Sequence, residues 1–502
     1  MPTIETDSLT PEALGRLSPL ARQIAYNGLD CCLTHEIFGT LSERYNTGNR
    51  QFPLTYQFER ALQGPILEMM LRGFRVDQFA RAKAMERLRT DITILNNQLQ
   101  RLAYACWDKQ LNPRSPKQLI DFFHGHMRLP ENWTFKKGEK KLSMDREALE
   151  QLSAYFYARP LITLILAIRD LTKQLSVLET EIDSDGRMRT SYNIAGTESG
   201  RLSSSSNAFG TGTNLQNITA SLRTIFIADP GKKLCGIDLE QAESREVGWI
   251  LGTLFGRWEY LDACYAGDLH TTVCRMAWKH LSWTGDRKRD REIADTPFYR
   301  TLSYRDLAKK LGHGSNYYGK PPTMARHAKI PISIAAEFQA AYFSAFHLPL
   351  WHQWTKQRLQ TTGVIRTVFG RERHFFGRLN DDTTLREAIA YSPQSATADR
   401  MDLILYRIWH TFGSRIQLIA QVHDAIYFQY DEQEDETELI PAVLALFDIP
   451  IEDGKGHKLV VPGEAKVGWN WGNFGPENPD GLAKWKGVQD ERIRTPIHQT
   501  VL

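Results

Sequence analysis

Apolar residues recur at helical spacing over 13–44, 52–72, 79–105 and 146–181, which predicts helices there. The second is expected to stop at Gly73 and lead into a short strand, Phe74–Asp77. Ser115-Pro116 predicts another helix start, an N-cap serine before a proline at the first helical position. The lysine-rich segment 131–142 reads as a loop. Over 186–218 Ser, Thr, Gly and Asn dominate, so loop and short strand replace helix. Lys233–Leu239 reads as a buried strand, followed by a helix from about Glu240. Residues 283–296 alternate in charge, as a solvated loop or helix face does. Further helices are expected over 303–318, 332–360 and 383–411, and a hairpin over Gly363–Val368 with Gly370. Ile416–Val422 and Ala425–Gln429 read as strands around His423-Asp424. From Asn473 onward Gly, Pro and charge predict a loosely packed tail. No internal repeat occurs, and the mix predicts an α+β protein.

Length changes this picture first: 502 residues exceed one ordinary core, so two to four subdomains are expected. A hydrophobic fraction of 42% and a charged fraction of 24% are ordinary for a globular chain. The net charge of +3 is too small to argue for or against a nucleic-acid partner. Cys31, Cys32, Cys106, Cys235, Cys264 and Cys274 form no CxxC pair, which argues against zinc ribbons and fits a reducing compartment. Met1–Glu12 has no apolar h-region, and no apolar run is long enough to span a bilayer. The expectation is a cytoplasmic protein, in host cytoplasm if phage-encoded, with no membrane partner.

Candidate chemistry lies in two places. Strand Leu234–Ile237 delivers Asp238 at its end, and Gln421-Val-His-Asp424 sits at the tip of the predicted hairpin. Either aspartate alone reads as a cap or turn residue. Two carboxylates on adjacent strand ends can share two divalent cations about 4 Å apart, and hard oxygen ligands favour Mg²⁺. In the helix over 303–318, Arg305, Lys309, His313 and Tyr317 recur every fourth residue. Each step advances about 40°, so the four line one stripe. Two cations, an imidazole and a phenol suit the phosphates and base of a nucleoside triphosphate. The plain alternative is an exposed basic helix. Gly314 and Gly319 read as leaving room for a close backbone or base approach, since each costs a helix about 1 kcal/mol relative to Ala.

Six segments carry a resemblance in order and spacing: Ser115-Pro-Lys-Gln-Leu119; Thr197-Glu-Ser-Gly-Arg201-Leu-Ser-Ser with Asn214-Leu-Gln-Asn-Ile218; Asp238-Leu-Glu-Gln-Ala-Glu243-Ser-Arg245; Arg305 through Lys309, His313-Gly314 and Tyr317; Pro393-Gln394 with Thr397-Ala-Asp399; and Gln421-Val-His-Asp424. Over roughly residues 50–475 the chain resembles the family A DNA polymerases, the group of bacterial DNA polymerase I and many phage replicative enzymes. The resemblance implies a right hand with an antiparallel palm sheet, helical fingers and a helical thumb. Its parts would be an exonuclease remnant (1–50), the approach to the palm (51–79), thumb (80–190), palm (191–288 and 391–475), fingers (289–390) and tail (476–502). It implies template-directed addition of dNTPs to a primer 3′-hydroxyl with release of pyrophosphate. Asp238 and Asp424 would be catalytic and hold two Mg²⁺ ions, with Mn²⁺ able to substitute. Arg305 and Lys309, helped by His270, would hold the triphosphate, His313 would face the incoming sugar, and Tyr317 would sit beside the templating pair. Glu243 would crowd a 2′-hydroxyl and reject ribonucleotides by a clash. Arg201, Gln394, His423, Asn214 and Gln216 would contact primer–template DNA, whose minor-groove acceptors report pair shape rather than sequence. The Lys136–Lys141 run and the thumb helices would grip phosphates.

The chain departs from the family pattern in places. His313 replaces the usual Phe or Tyr, which predicts altered handling of dideoxynucleotides and a pH-sensitive donor. Tyr317-Tyr318-Gly319 replaces Tyr-Gly, which predicts a helix exit shifted by one residue. The loop Asn207–Thr213 is longer than usual. Tyr26-Asn-Gly-Leu-Asp30 resembles the last motif of the family's 3′→5′ exonuclease, yet the 25 preceding residues hold no DxE pair. Tyr26 and Asp30 are therefore expected to pack and cap a helix, and no proofreading is expected from this chain. A separate exonuclease subunit docked on residues 1–50, and replication accessory proteins, are the further candidate partners. Two rival functions stand beside this one. A single-subunit RNA polymerase is opposed by Glu243, and an inactive DNA-binding scaffold is opposed by the intact acidic pair and triphosphate cations.

Overall fold

The computed structural model describes residues 16–46, 54–136, 139–207 and 210–487. The chain divides into two compact units, Met1–Leu62 and Gln63–Leu502. The first holds the helices Pro19–Asn46 and Leu54–Ala61. Tyr26 and Asp30 are exposed in the middle of the longer helix, so they neither pack nor cap it, contrary to expectation. The pattern over 52–72 is two helices rather than one. The second, Gln63–Arg72, starts afresh with Pro65 in its first turn, where a missing N–H costs nothing.

In the second unit, Asp77 caps the helix Gln78–Trp107 by accepting from Ala80 N at 2.9 Å. The 146–181 pattern is also two helices, Arg146–Leu152 and Arg159–Leu178, with Pro160 in the first turn of the latter. These helices enclose Leu99, Phe122, Phe123, Leu149, Ile162 and Ile165. The lysine-rich segment is a hairpin, not a loop: Trp133–Lys136 pairs antiparallel with Glu139–Leu142. Trp133, Thr134 and Phe135 are strong strand formers, and the lysines masked them.

The central sheet has five antiparallel strands in the order Ile416–Val422, Ala425–Asp431, Lys232–Leu239, Gly463–Gly468 and Ala483–Lys484. Leu234–Ile237 is buried throughout, as an unalternating apolar run predicts. Gly236 is required there, because a Cβ would stand 2.6 Å from the Tyr427 ring. A second core gathers Val247, Tyr260, Leu307, Phe338, Tyr342 and Trp351. The 332–360 pattern is split into Ile332–Phe346 and Leu348–Thr362 by His347 at φ +56°. The hairpin near 363–370 pairs Val364–Arg366 with Glu372–His374. Within the charged segment, Arg287–Ala294 is a mostly exposed helix that buries Ala294 and Asp290, the latter accepting from the Thr284 and Gly285 amides. The expected loose tail is largely exposed over 473–480 but is anchored just beyond. Leu482 is buried, Ala483–Lys484 joins the sheet, and residues 488–502 lie outside the described residues. No described helix is long and apolar enough to cross a membrane.

Candidate active site

The sheet brings the two aspartates together. Asp238 is the register partner of Ala425 on one side and of Glu464 on the other. Leu239 N donates to the Asp424 carbonyl at 3.0 Å, pinning the two strand ends. Asp424 sits in a two-residue turn, His423-Asp424, closed by the Val422–Ala425 pair. His423 takes φ +55°, a conformation that costs a residue with a Cβ roughly 1–2 kcal/mol. The turn is held from below. Tyr192 Oη donates to the Gln421 carbonyl at 2.9 Å and accepts from Gln421 N at 3.1 Å. Gln216 Nε2 donates to Gln421 Oε1 at 3.0 Å, and the Gln421 amide donates to the His423 carbonyl.

The two carboxylates oppose each other's ionisation. Asp238 is exposed at the strand end, yet protein crowds its carboxyl. Desolvation first, then the Asp424 charge, push its carboxyl up to about 6, against the pull of Lys466. Burial also raises Asp424, and Arg201, 3.8 Å away, opposes the rise. Arg201 and the Tyr317 hydroxyl both bind the Glu243 carboxylate. Burial and the Glu243 charge hold the Tyr317 phenol well above its ordinary range.

Tyr317 caps the helix Tyr304–Asn316, which opens on a capping box between Ser303 and Asp306. Lys309 and His313 are exposed on this helix, and the His313 ring meets Tyr317 edge-on at 4.9 Å between centroids. Arg305 makes a two-pronged bond to Asp268, Nε–Oδ2 at 2.8 Å and Nη2–Oδ1 at 3.2 Å. Burial would raise the Asp268 carboxyl, but hydrogen bonds from Arg305 and Thr271 and the charges of Arg305 and Arg291 hold it at about 2. Burial lowers His270 to about 4, and Arg305, Lys309 and Arg291 add to the effect, so its imidazole is neutral. Gly314 and Gly319 open no space for a ligand: a Cβ would lie 2.7 Å from Met324 Sδ at Gly314 and 2.6 Å from the Gly314 carbonyl at Gly319. The room they make is filled by the helix Pro321–Ala328 and by the chain's own turn. The helix exit is made by Tyr318 at φ +60°, its ring edge-on to His352 and under Lys320 Nζ at 3.8 Å.

A sequence model of DNA polymerase family A matches residues 82–473. The chain belongs to this family. It is 28% identical over 437 residues to DNA polymerase I of Caldicellulosiruptor bescii, covering 82% of this chain and 46% of that protein. It is 26% identical over 489 residues to the thermostable DNA polymerase I of Thermus thermophilus, covering 93% and 53%. The chain thus spans about half the length of the curated relatives it matches. A solved structure, the POL domain of Pol1 from M. smegmatis in complex with DNA primer-template and dNTP, superimposes with a TM-score of 0.64 at 25% identity, covering 82% of this chain and 69% of that one.

Within this family A fold, the residues singled out in the sequence fall into two linked groups. Asp238, Asp424, Arg201, Glu243 and Tyr317 form one, with Gln216 behind it. In the other, Arg305 binds Asp268, and the charges of Arg305 and Lys309 act on His270 beside it. Gln394 is half-buried on the helix Asp382–Phe412, and its side chain makes no hydrogen bond among the described residues. Asn214 accepts from Ser204 Oγ at 2.6 Å, which ties two loop segments together. Sequence reasoning missed Tyr192, Asp268, Glu464 and Lys466. Glu464 and Lys466 lie on Gly463–Gly468, a strand whose glycine ends and mixed polarity hid it. Among the described residues no three His, Cys, Asp or Glu side chains gather around one point. Two hard carboxylates whose repulsion a cation would relieve still fit Mg²⁺, which completes its shell with water and phosphate oxygens.

Proposed function

We propose that this chain carries out template-directed DNA synthesis, adding deoxynucleotides 5′→3′ to a primer. The observation that carries the reading is the Asp238–Asp424 pair, pinned across adjacent strands, within a family A match that also includes the Arg305–Tyr317 stripe. The primer 3′-oxygen attacks the α-phosphorus, the bond to the bridging oxygen breaks, and pyrophosphate leaves. Two Mg²⁺ ions on Asp238 and Asp424, when bound, supply charge for the incoming hydroxyl and the leaving group. Arg305 and Lys309 hold the triphosphate, with Asp268 orienting Arg305 and neutral His270 donating a hydrogen bond. Glu243, bound by Arg201 and Tyr317, would clash with a 2′-hydroxyl. Arg201, Gln394, His423, Asn214 and Gln216 face the primer–template. The proposed subdivision is palm (51–79, 191–288, 391–475), thumb (80–190) and fingers (289–390), with the fingers sharing their core with the helices between Ala242 and Ala277. No proofreading is assigned to the described residues.

Primer extension by the purified chain with Mg²⁺ tests this reading. Asp424→Ala is expected to lower extension by roughly a hundredfold to a thousandfold or more while primer–template binding persists. Equal extension by wild type and Asp424→Ala would overturn the assignment. Wild-type preference for NTPs over dNTPs would favour the RNA polymerase alternative.

A further inference from the structure

The charged helix Arg287–Ala294 was expected to be nothing more than a solvated face, and most of it is. Arg291 is different. Its Nη1 lies 3.4 Å from Asp268 Oδ2, the same oxygen that Arg305 Nε binds at 2.8 Å. On its outer side Arg291 Nε pairs with Asp295 at 3.1 Å. Two guanidinium groups therefore share one carboxylate oxygen, and Arg291 stands in the cation cluster with Arg305 and Lys309 around His270. Asp268 itself is fixed as the N-cap of the helix Leu269–Ala277, accepting from His270 N at 3.2 Å and Thr271 Oγ1 at 2.7 Å. The neighbouring turn is anchored too, because the Arg287 guanidinium packs on Gly267, where a Cβ would stand 1.4 Å from Nη2. Arg291 is half exposed, with a side-chain accessibility of 50%, so its fork can reach a ligand without being uncovered first.

We propose that Arg291 is a third triphosphate-binding cation, beside Arg305 and Lys309. The inference rests on the polymerase reading above. A guanidinium already held by Asp268 and Asp295 binds phosphate oxygens with little further loss of side-chain freedom, and its planar fork suits them. It would act on the triphosphate tail rather than on the base or sugar, since its carboxylate partner also orients Arg305.

The test compares Arg291→Ala and Arg291→Lys with Lys288→Ala, which removes the same charge from an exposed position on the same helix. For Arg291→Ala the KM for dNTP and the inhibition constant of pyrophosphate are each expected to rise about tenfold, with kcat and primer–template affinity within about twofold of wild type. Arg291→Lys should fall between, and Lys288→Ala should match wild type. Calorimetric titration with inorganic tripolyphosphate, without DNA, reads the site separately and should weaken about tenfold in Arg291→Ala alone. Unchanged tripolyphosphate binding, or equal weakening in Lys288→Ala, overturns the proposal. A wild type that binds tripolyphosphate through Arg291 but extends no primer would overturn the polymerase reading and leave the anion site standing.

Discussion

At the scale of single residues, the groups named from the sequence were those whose partners a motif implies. Asp238, Asp424 and Glu243 could be read because their spacing is characteristic. The role of Asp268 could not, because its partner Arg305 lies 37 residues away and the pairing exists only after folding. Its energetic weight follows from its ionisation. The folded protein holds the Asp268 carboxyl at about 2, against 3.8 in the open chain. The fold therefore gains from the ionised form, the gain is complete above 3.8, and it is lost as pH falls through 2. Asp268→Asn should cost roughly 2 kcal/mol at pH 7 by urea denaturation, and the gap to wild type should close progressively below pH 3.8. A gap that stays constant with pH would mean that Asp268 acts through packing alone.

At the scale of elements, helix and strand types were mostly legible and their breaks were not. Periodicity runs straight through Leu62, His347 and the turn over 153–158, since apolar spacing does not register a single residue at positive φ or a proline that starts a new helix. Contacts between helices were equally hidden. Arg400 on Asp382–Phe412 is fully buried, donates to the Ile449 carbonyl at 2.6 Å and lies 3.3 Å from Glu246 on the helix that carries Glu243. Burial pushes Glu246 up to about 6, and Arg400 opposes the rise. Removing one partner strands a charge in the core, so Arg400→Leu should destabilise the chain by about 3–5 kcal/mol. Arg400→Leu with Glu246→Val replaces both ends by apolar groups and should recover most of that loss in thermal melts. If the double variant is as unstable as the single one, the pair is a packing unit and not an electrostatic one.

At the scale of the whole molecule, the right-hand fold was legible through motif order, while charge was uninformative: a net +3 hides where the cations lie. The structure gathers some of them on the hairpin that was expected to be a loop. Lys140 Nζ stands 4.5 Å over the exposed Trp133 ring, and Lys141 pairs with Glu139 at 2.8 Å. A paired hairpin holds lysines at fixed spacing, whereas a loop would have to order them at an entropic cost. If this hairpin meets the DNA backbone in the proposed thumb, its lysines contribute through counterion release and not through sequence. Lys140→Ala with Lys141→Ala should then weaken primer–template binding by the same factor for unrelated sequences. The slope of log affinity against log salt should become shallower by about 1–2, with kcat unchanged at saturating DNA. A slope identical to wild type would show that the hairpin lies off the DNA path, and the phosphate grip would then have to come from the helices Gln78–Trp107 and Arg159–Leu178.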